Sequence, residues 1–163
     1  MSVDPAFLGR HRIATSDDME NFGCRVGEQL EAGDLIVLTG PLGAGKTTFT
    51  RGLAEGLGVR GPVQSPTFVI ARTHPSLVGG APLVHVDAYR LGSSAELDDL
   101  GLDLERSVVV IEWGREMAAS IADAWWDIEL ERPVGGDAEL AELADEELDA
   151  DAPRVVKVVR VEA

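Results

Sequence analysis

Apolar residues return along this chain in two rhythms. Between residues 16 and 31, Met19, Phe22, Val26 and Leu30 recur at spacings of three and four, which predicts a helix with one buried face. Just ahead, "TSDD" offers a hydroxyl N-cap with an acid three positions on. Phe49, Leu53 and Leu57 make the stripe of a second helix from about Lys46, and Gly58 suits its terminator. The other rhythm is short and continuous. "LIVLT" (35–39) and "SVVVIEW" (107–113) are runs of branched residues with the character of strands buried on both faces. "PTFVIART" and "PLVHVDAYR" also read as strands, and the turn-rich "HPSLVGGA" between them predicts a hairpin. "WWDIELER" and "RVVKVVRVE" predict a closing pair of strands. "SSAELDDLGLD", with Ser93 and Glu96 at capping-box spacing, predicts a short helix, and "REMAASIADA" a weaker one. Residues 1–14 show little pattern. Strands alternating with helices make this an α/β chain.

Composition narrows the class. A length of 163 residues suits one domain, and 45% hydrophobic residues suffice for an ordinary core. No apolar run approaches the roughly 18 residues of a membrane span, and the N-terminus lacks a secretory pattern, so a cytoplasmic location is expected. The single cysteine, Cys24, cannot form an internal disulfide, and the three histidines have no metal-ligand spacing, so no zinc site is expected. A net charge of −15 is the wrong sign for wrapping nucleic acid; contact with RNA is expected to be local or through another protein. From Asp137 to Asp151 there are eight acids and no base, so 134–153 reads as an acidic insertion or loop.

The segment "GPLGAGKT" (40–47) changes the picture most, because it matches G-x-x-x-x-G-K-[ST] between a predicted strand and a predicted helix. Triphosphate oxygens need several backbone N–H groups converging on one point. Glycines let Pro41, Leu42, Gly43, Ala44 and Gly45 bend around them without a Cβ in the way. The start of the following helix adds partial positive charge. Lys46 can reach the outer phosphates, and the Thr47 hydroxyl, followed by Thr48, is a hard oxygen donor suited to Mg²⁺. A site of this kind also needs a carboxylate at a neighbouring strand end. Two acids fit, Glu112 after "VVVI" and Asp87 after "LVHV". The more continuous apolar run favours Glu112 for the metal, leaving Asp87 to orient water or couple to a partner. Alternation puts His85 on the same strand face as Asp87, where it either supports the site or simply packs.

"GPLGAGKTTFTRGLAEGLG", "SPTFVI", "HVDAYRL" and "VIEWG", in that order, resemble the TsaE (YjeE) family of bacterial ATPases. The resemblance covers roughly residues 14–132. It implies a P-loop α/β fold: a three-layer domain with a mixed, mostly parallel sheet and a β-hairpin extension. It implies weak ATP binding alone and hydrolysis with the TsaD and TsaB proteins, in forming the threonylcarbamoyl group on adenosine 37 of tRNAs that read codons beginning with A. On the matching positions it implies Thr47 and Glu112 as Mg²⁺ ligands and Lys46 as the phosphate lysine. It also implies Thr67 in a switch-like segment near the γ-phosphate, Asp87 as the essential aspartate and Trp113 as the tryptophan beside the metal ligand. Ser16 matches an early nucleotide-contacting position and Arg154 a late arginine near the base. Two positions depart from the pattern: Ala88 stands where leucine is common, and the acidic stretch 137–151 is extra. The residues alone also leave open a small-molecule kinase, or a nucleotide-binding regulator that never turns over. Against the kinase, only Arg115 lies between Glu112 and "WWDIELER" to serve as a lid arginine.

Overall fold

The computed structural model describes residues 5–41, 45–61, 71–88, 94–131 and 153–162. Among them, seven strands share one sheet: β1 (Gly9–Ile13), β2 (Leu35–Thr39), β3 (Ala71–His74), β4 (Leu83–Asp87), β5 (Val108–Glu112), β6 (Ala124–Glu131) and β7 (Arg154–Glu162). The order is β1-β7-β6-β2-β5-β4-β3. The four central strands, β6, β2, β5 and β4, run parallel; β3 closes one edge antiparallel to β4, and at the other β7 lies antiparallel to β6 with β1 antiparallel to β7. The helices are α1 (Ser16–Gly27), α2 (Lys46–Leu57), α3 (Ser94–Asp98) and α4 (Ala118–Ile121).

Burial on both faces explains the continuous apolar runs at the centre: all five residues of β5 and the first four of β2 are buried. Successive side chains go to opposite faces. Ile36, Leu38, Val110, Trp126 and Ile128 meet Met19, Phe22, Phe49 and Leu53 of α1 and α2. Leu35, Val37, Val109, Ile111 and Trp125 form a second core with Leu97 of α3 and Ala118 of α4. The mixed sheet, its two helical layers and the β3–β4 hairpin match the α/β fold expected.

Several boundaries carry a physical reason. Thr15 caps α1, its Oγ1 accepting the Asp18 N–H at 3.1 Å. α1 ends at Gly27 rather than residue 31, because Gln29 and Leu30 bond back to Val26 and Gly27 in a tighter turn that still buries Leu30. Gly58 ends α2 with φ +80°, and its N–H satisfies the carbonyls of Ala54 and Glu55. Cys24 is only partly buried, its Sγ 3.6 Å from Glu28 Oε1, and burial together with that carboxylate pushes its pKa up.

The N-terminus, without pattern in the sequence, nevertheless holds a strand: residues 9–13 form β1, paired along β7 from Gly9↔Val158 to Ile13↔Arg154. As an edge strand it is mostly exposed, so "GRHRI" carries no apolar alternation, and its partner lies at the far end of the chain. Residues 62–70, 89–93 and 132–152 lie outside the described residues, and with them the start of "PTFVIART", Ser93 and the acidic stretch 137–151.

One packing feature carries the site. α1 and α2 cross on four glycines, Gly23 and Gly27 against Gly52 and Gly56. A Cβ on any of them would stand 2.0–2.3 Å from a backbone oxygen of the other helix. The two backbones are therefore in direct contact, which fixes where α2 begins.

Candidate functional site

The topology brings the predicted residues to one edge of the sheet. β2, β4, β5 and β6 all end there, α1 and α2 both begin there, and β7 starts there. This is the carboxyl end of a parallel sheet, where α/β folds place ligands. Gly45 stands at the N-cap of α2 with φ +102°, left-handed backbone that favours glycine. It is in contact with the core: a Cβ there would lie 3.4 Å from Met19 Cε and 3.7 Å from Leu130 Cδ2. Among the described residues no side chain caps α2, and its first turn holds no acid, which leaves its leading N–H groups available to an anion. Lys46, Thr47 and Thr48 occupy that first turn, each partly exposed. Pro41 is exposed on the other side of the bend, while Leu42, Gly43 and Ala44 lie outside the described residues.

Glu112 ends β5 in register with Leu38 of β2 and Asp87 of β4. Its carboxylate is 5% exposed and divided between two partners. Oε2 lies 2.6 Å from His85 Nε2, and Oε1 lies 3.6 Å from Lys46 Nζ. Burial alone raises the carboxyl's pKa. The hydrogen bond and field of His85, together with Lys46, outweigh that and hold it below its ordinary value of 4.5. Glu112 is thus an ionised carboxylate in a nearly dry setting.

Trp113 follows in an unusual conformation. Its φ is +62°, the single positive value outside glycine among the described residues, and costs about 1–3 kcal/mol for a bulky side chain. The backbone is pinned there by its N–H bond to the Leu38 carbonyl at 3.1 Å. The next residue is held close to β5: a Cβ on Gly114 would stand 2.2 Å from Ile111 Cγ2, so a glycine is required there. The result sets the indole ring 4.4 Å from Lys46 Nζ, cation over ring, with the tryptophan 41% exposed.

Of the other predicted residues, Asp87 is partly exposed beside Glu112 on the adjacent strand. Ser16 opens α1, and Arg154 opens β7 opposite Ile13, buried, with its guanidinium donating to the Pro153 carbonyl at 3.4 Å. Both reach the same sheet edge through β1 and β7. Thr67 lies outside the described residues.

These residues fit a magnesium–triphosphate group. The pair of candidate metal donors, Thr47 and ionised Glu112, offers hard oxygen, and Glu112 has one oxygen committed to His85 and the other facing a cation. The α2 N-terminus, with Gly45 at the turn and Lys46 beside it, is a cradle for anionic oxygen.

The family model for "Threonylcarbamoyl adenosine biosynthesis protein TsaE" matches residues 13–138. The chain belongs to the TsaE family. It is 56% identical over 124 residues to a tRNA threonylcarbamoyladenosine biosynthesis protein TsaE of Streptomyces coelicolor, covering 74% of this chain and 84% of that one. It is 48% identical over 142 residues to the protein of the same name from Mycobacterium tuberculosis, covering 82% and 84%. The fold is similar to the crystal structure of Bacillus subtilis YdiB, with a TM-score of 0.64 and 26% identity over 94% of this chain and 85% of that one.

Within this TsaE-family chain, the sequence named His85 and Arg115 but not the contacts they make at this edge. His85 is the direct partner of Glu112; its place two residues before Asp87 was the available signal, but nothing local says that its ring meets a residue 27 positions away. Arg115 is the second. Its guanidinium grips Asp127 with two bonds of 2.8 Å and Glu129 with one of 3.0 Å, tying the segment after Trp113 to β6. Those acids hold its pKa above the ordinary value. Among the described residues, no helix is long and apolar enough to cross a membrane.

Proposed function

We propose that this chain is a magnesium-dependent ATPase of the cytoplasm, acting with the TsaD and TsaB proteins to form the threonylcarbamoyl group on adenosine 37 of tRNA. The observation that carries the proposal is the meeting of Lys46 and ionised Glu112 at the strand ends, directly before the open N-terminus of α2. Family membership supports the pathway. The net charge of −15 supports action through partner proteins rather than by wrapping tRNA.

The residues divide the work. Backbone N–H groups from Gly45 onward bind phosphate oxygens, and Lys46, already placed at the strand ends, donates to the outer phosphates. Thr47 and Glu112 hold Mg²⁺, which when bound supplies positive charge against the developing charge on the phosphate oxygens. Asp87 orients the attacking water, Thr67 senses the nucleotide state, and Trp113 covers the site. Ser16 and Arg154 border the nucleotide at the β1–β7 side.

The test is phosphate release from ATP by the full chain, with and without purified TsaD–TsaB complex. Low basal release that rises with the partners is expected. No release with partners present would make the chain a regulator, and label appearing in a small molecule instead of free phosphate would make it a kinase. The kinase reading is disfavoured by Arg115, whose guanidinium is held by Asp127 and Glu129 and not poised as a lid. A second prediction separates binding from turnover. Asp87→Ala is expected to change nucleotide affinity by less than about twofold while partner-stimulated release falls about tenfold or more. Parallel loss of both, in a titration beside a release assay, would remove Asp87 from the hydrolytic step.

A further inference from the structure

His85 is a fully buried polar residue among Leu83, Val84 and Val86 of β4, two positions before Asp87 at the strand end. Burial of an imidazole is costly unless its nitrogens are satisfied. Only one is: Nε2 meets Glu112 Oε2 at 2.6 Å, whereas Nδ1 is buried with no hydrogen-bond partner among the described residues. A proton on Nδ1 would therefore have no acceptor. The neutral ring carries its proton on Nε2 and donates it to the carboxylate.

The strand register gives this bond its geometry. His85 pairs with Val110 and Asp87 with Glu112, so all four side chains share one sheet face. His85 reaches diagonally to Glu112 from one step below the site, while Lys46 approaches the other carboxylate oxygen from α2. A carboxylate rotates freely about its last torsion, and beside a lysine it can turn both oxygens toward the cation. The bond at Oε2 prevents this and leaves Oε1 as the oxygen facing Lys46 at the start of α2.

We propose that His85 is the positioning residue of this site: it fixes Glu112 so that one oxygen is presented to the metal. The inference rests on the reading of Glu112 as a magnesium ligand and adds a residue to it. Orienting partners of this kind are worth about 10–100-fold in metal affinity.

The experiment compares the affinity of the full chain for a fluorescent non-hydrolysable ATP analogue in EDTA and in saturating Mg²⁺. The ratio of the two measures how strongly metal and nucleotide support each other. For His85→Leu, which keeps the volume and removes the donor, the EDTA affinity is expected within about twofold of the unmutated chain and the ratio lower by about tenfold or more. His85→Gln, whose amide N–H reaches a similar point, is expected to restore most of the ratio. Two results overturn the inference: a ratio in His85→Leu equal to that of the unmutated chain, or a loss of EDTA affinity and Tm that runs in step with the ratio, as a merely structural role would give.

The underlying reading fails separately, through an unmutated chain that binds the analogue equally well with and without Mg²⁺. Should His85→Leu not fold, ¹⁵N NMR of the unmutated chain decides. Magnesium added to the analogue-bound protein is expected to shift the His85 Nε2–H resonance, and a resonance that does not move overturns the proposal.

Discussion

Lys46→Ala is expected to weaken ATP binding about 10–100-fold and to lower partner-stimulated phosphate release by about 10²–10³-fold. The first figure follows from deleting charge-assisted bonds worth about 1.5–3 kcal/mol. The second is larger because positive charge fixed where negative charge develops acts mainly in the transition state. The structure adds a reason specific to this chain. Lys46 is already held at the strand ends by Glu112 at 3.6 Å and by the Trp113 ring at 4.4 Å, with its side chain 12% exposed. Its charge is pre-placed, so little conformational entropy remains to be lost when phosphate arrives. Lys46→Arg is not expected to rescue, because a bulky planar fork does not present the compact point charge that an ammonium gives the outer phosphates. Isothermal titration and a release assay on the same preparations check both figures. A variant that binds ATP as well as the unmutated chain would place the nucleotide elsewhere and remove the phosphate-loop reading.

Gly52→Ala is the second large effect, and it acts through stability. The added Cβ would stand 2.0 Å from the carbonyl oxygen of Glu20 and 2.8 Å from its carbon. Both atoms are helix backbone, so no side chain can swing aside and α1 must separate from α2. Overpacking of this kind costs about 1–3 kcal/mol or more, and the roughly 1 kcal/mol that alanine gains in helix propensity offsets part of it. A net loss of about 2 kcal/mol corresponds to a Tm lower by about 4–8 °C for a chain of this size. Separation of the helices also disturbs Gly45, which packs against Met19 of α1, so ATP affinity is expected to fall with stability. Gly80→Ala is the control. Its Cβ would meet nothing closer than Ser76 Oγ at 3.6 Å, and Tm is expected unchanged or slightly raised. Calorimetry on the pair checks this, and equal melting temperatures would show that the helices do not touch through their glycines.

Much of the architecture was legible locally. Helix period and caps placed α1 and α2, and Gly58 marked the end of the second because a left-handed terminator is a local requirement. The continuous run "VVVI" identified β5 as an inner strand, and it does pair with β2. β1 was not legible. Five mostly exposed residues have no periodicity, and what makes them a strand is a partner about 145 residues away in sequence, a distance over which composition carries no signal.

The sequence by itself determined the chemistry on offer: a glycine-rich turn with Lys46 and Thr47 between a buried strand and an amphipathic helix, and acids at two later strand ends. These follow from the conformational limits of single residues and from short-range periodicity, which act within a few positions. The tertiary structure alone decided how those groups meet. It divided Glu112 between Lys46 and His85, turned Trp113 into a left-handed conformation over the lysine, and drew α1 against α2 on four glycines. The physical reason is that each of those contacts depends on strand register and helix approach, quantities fixed by the whole core at once and by no segment of it.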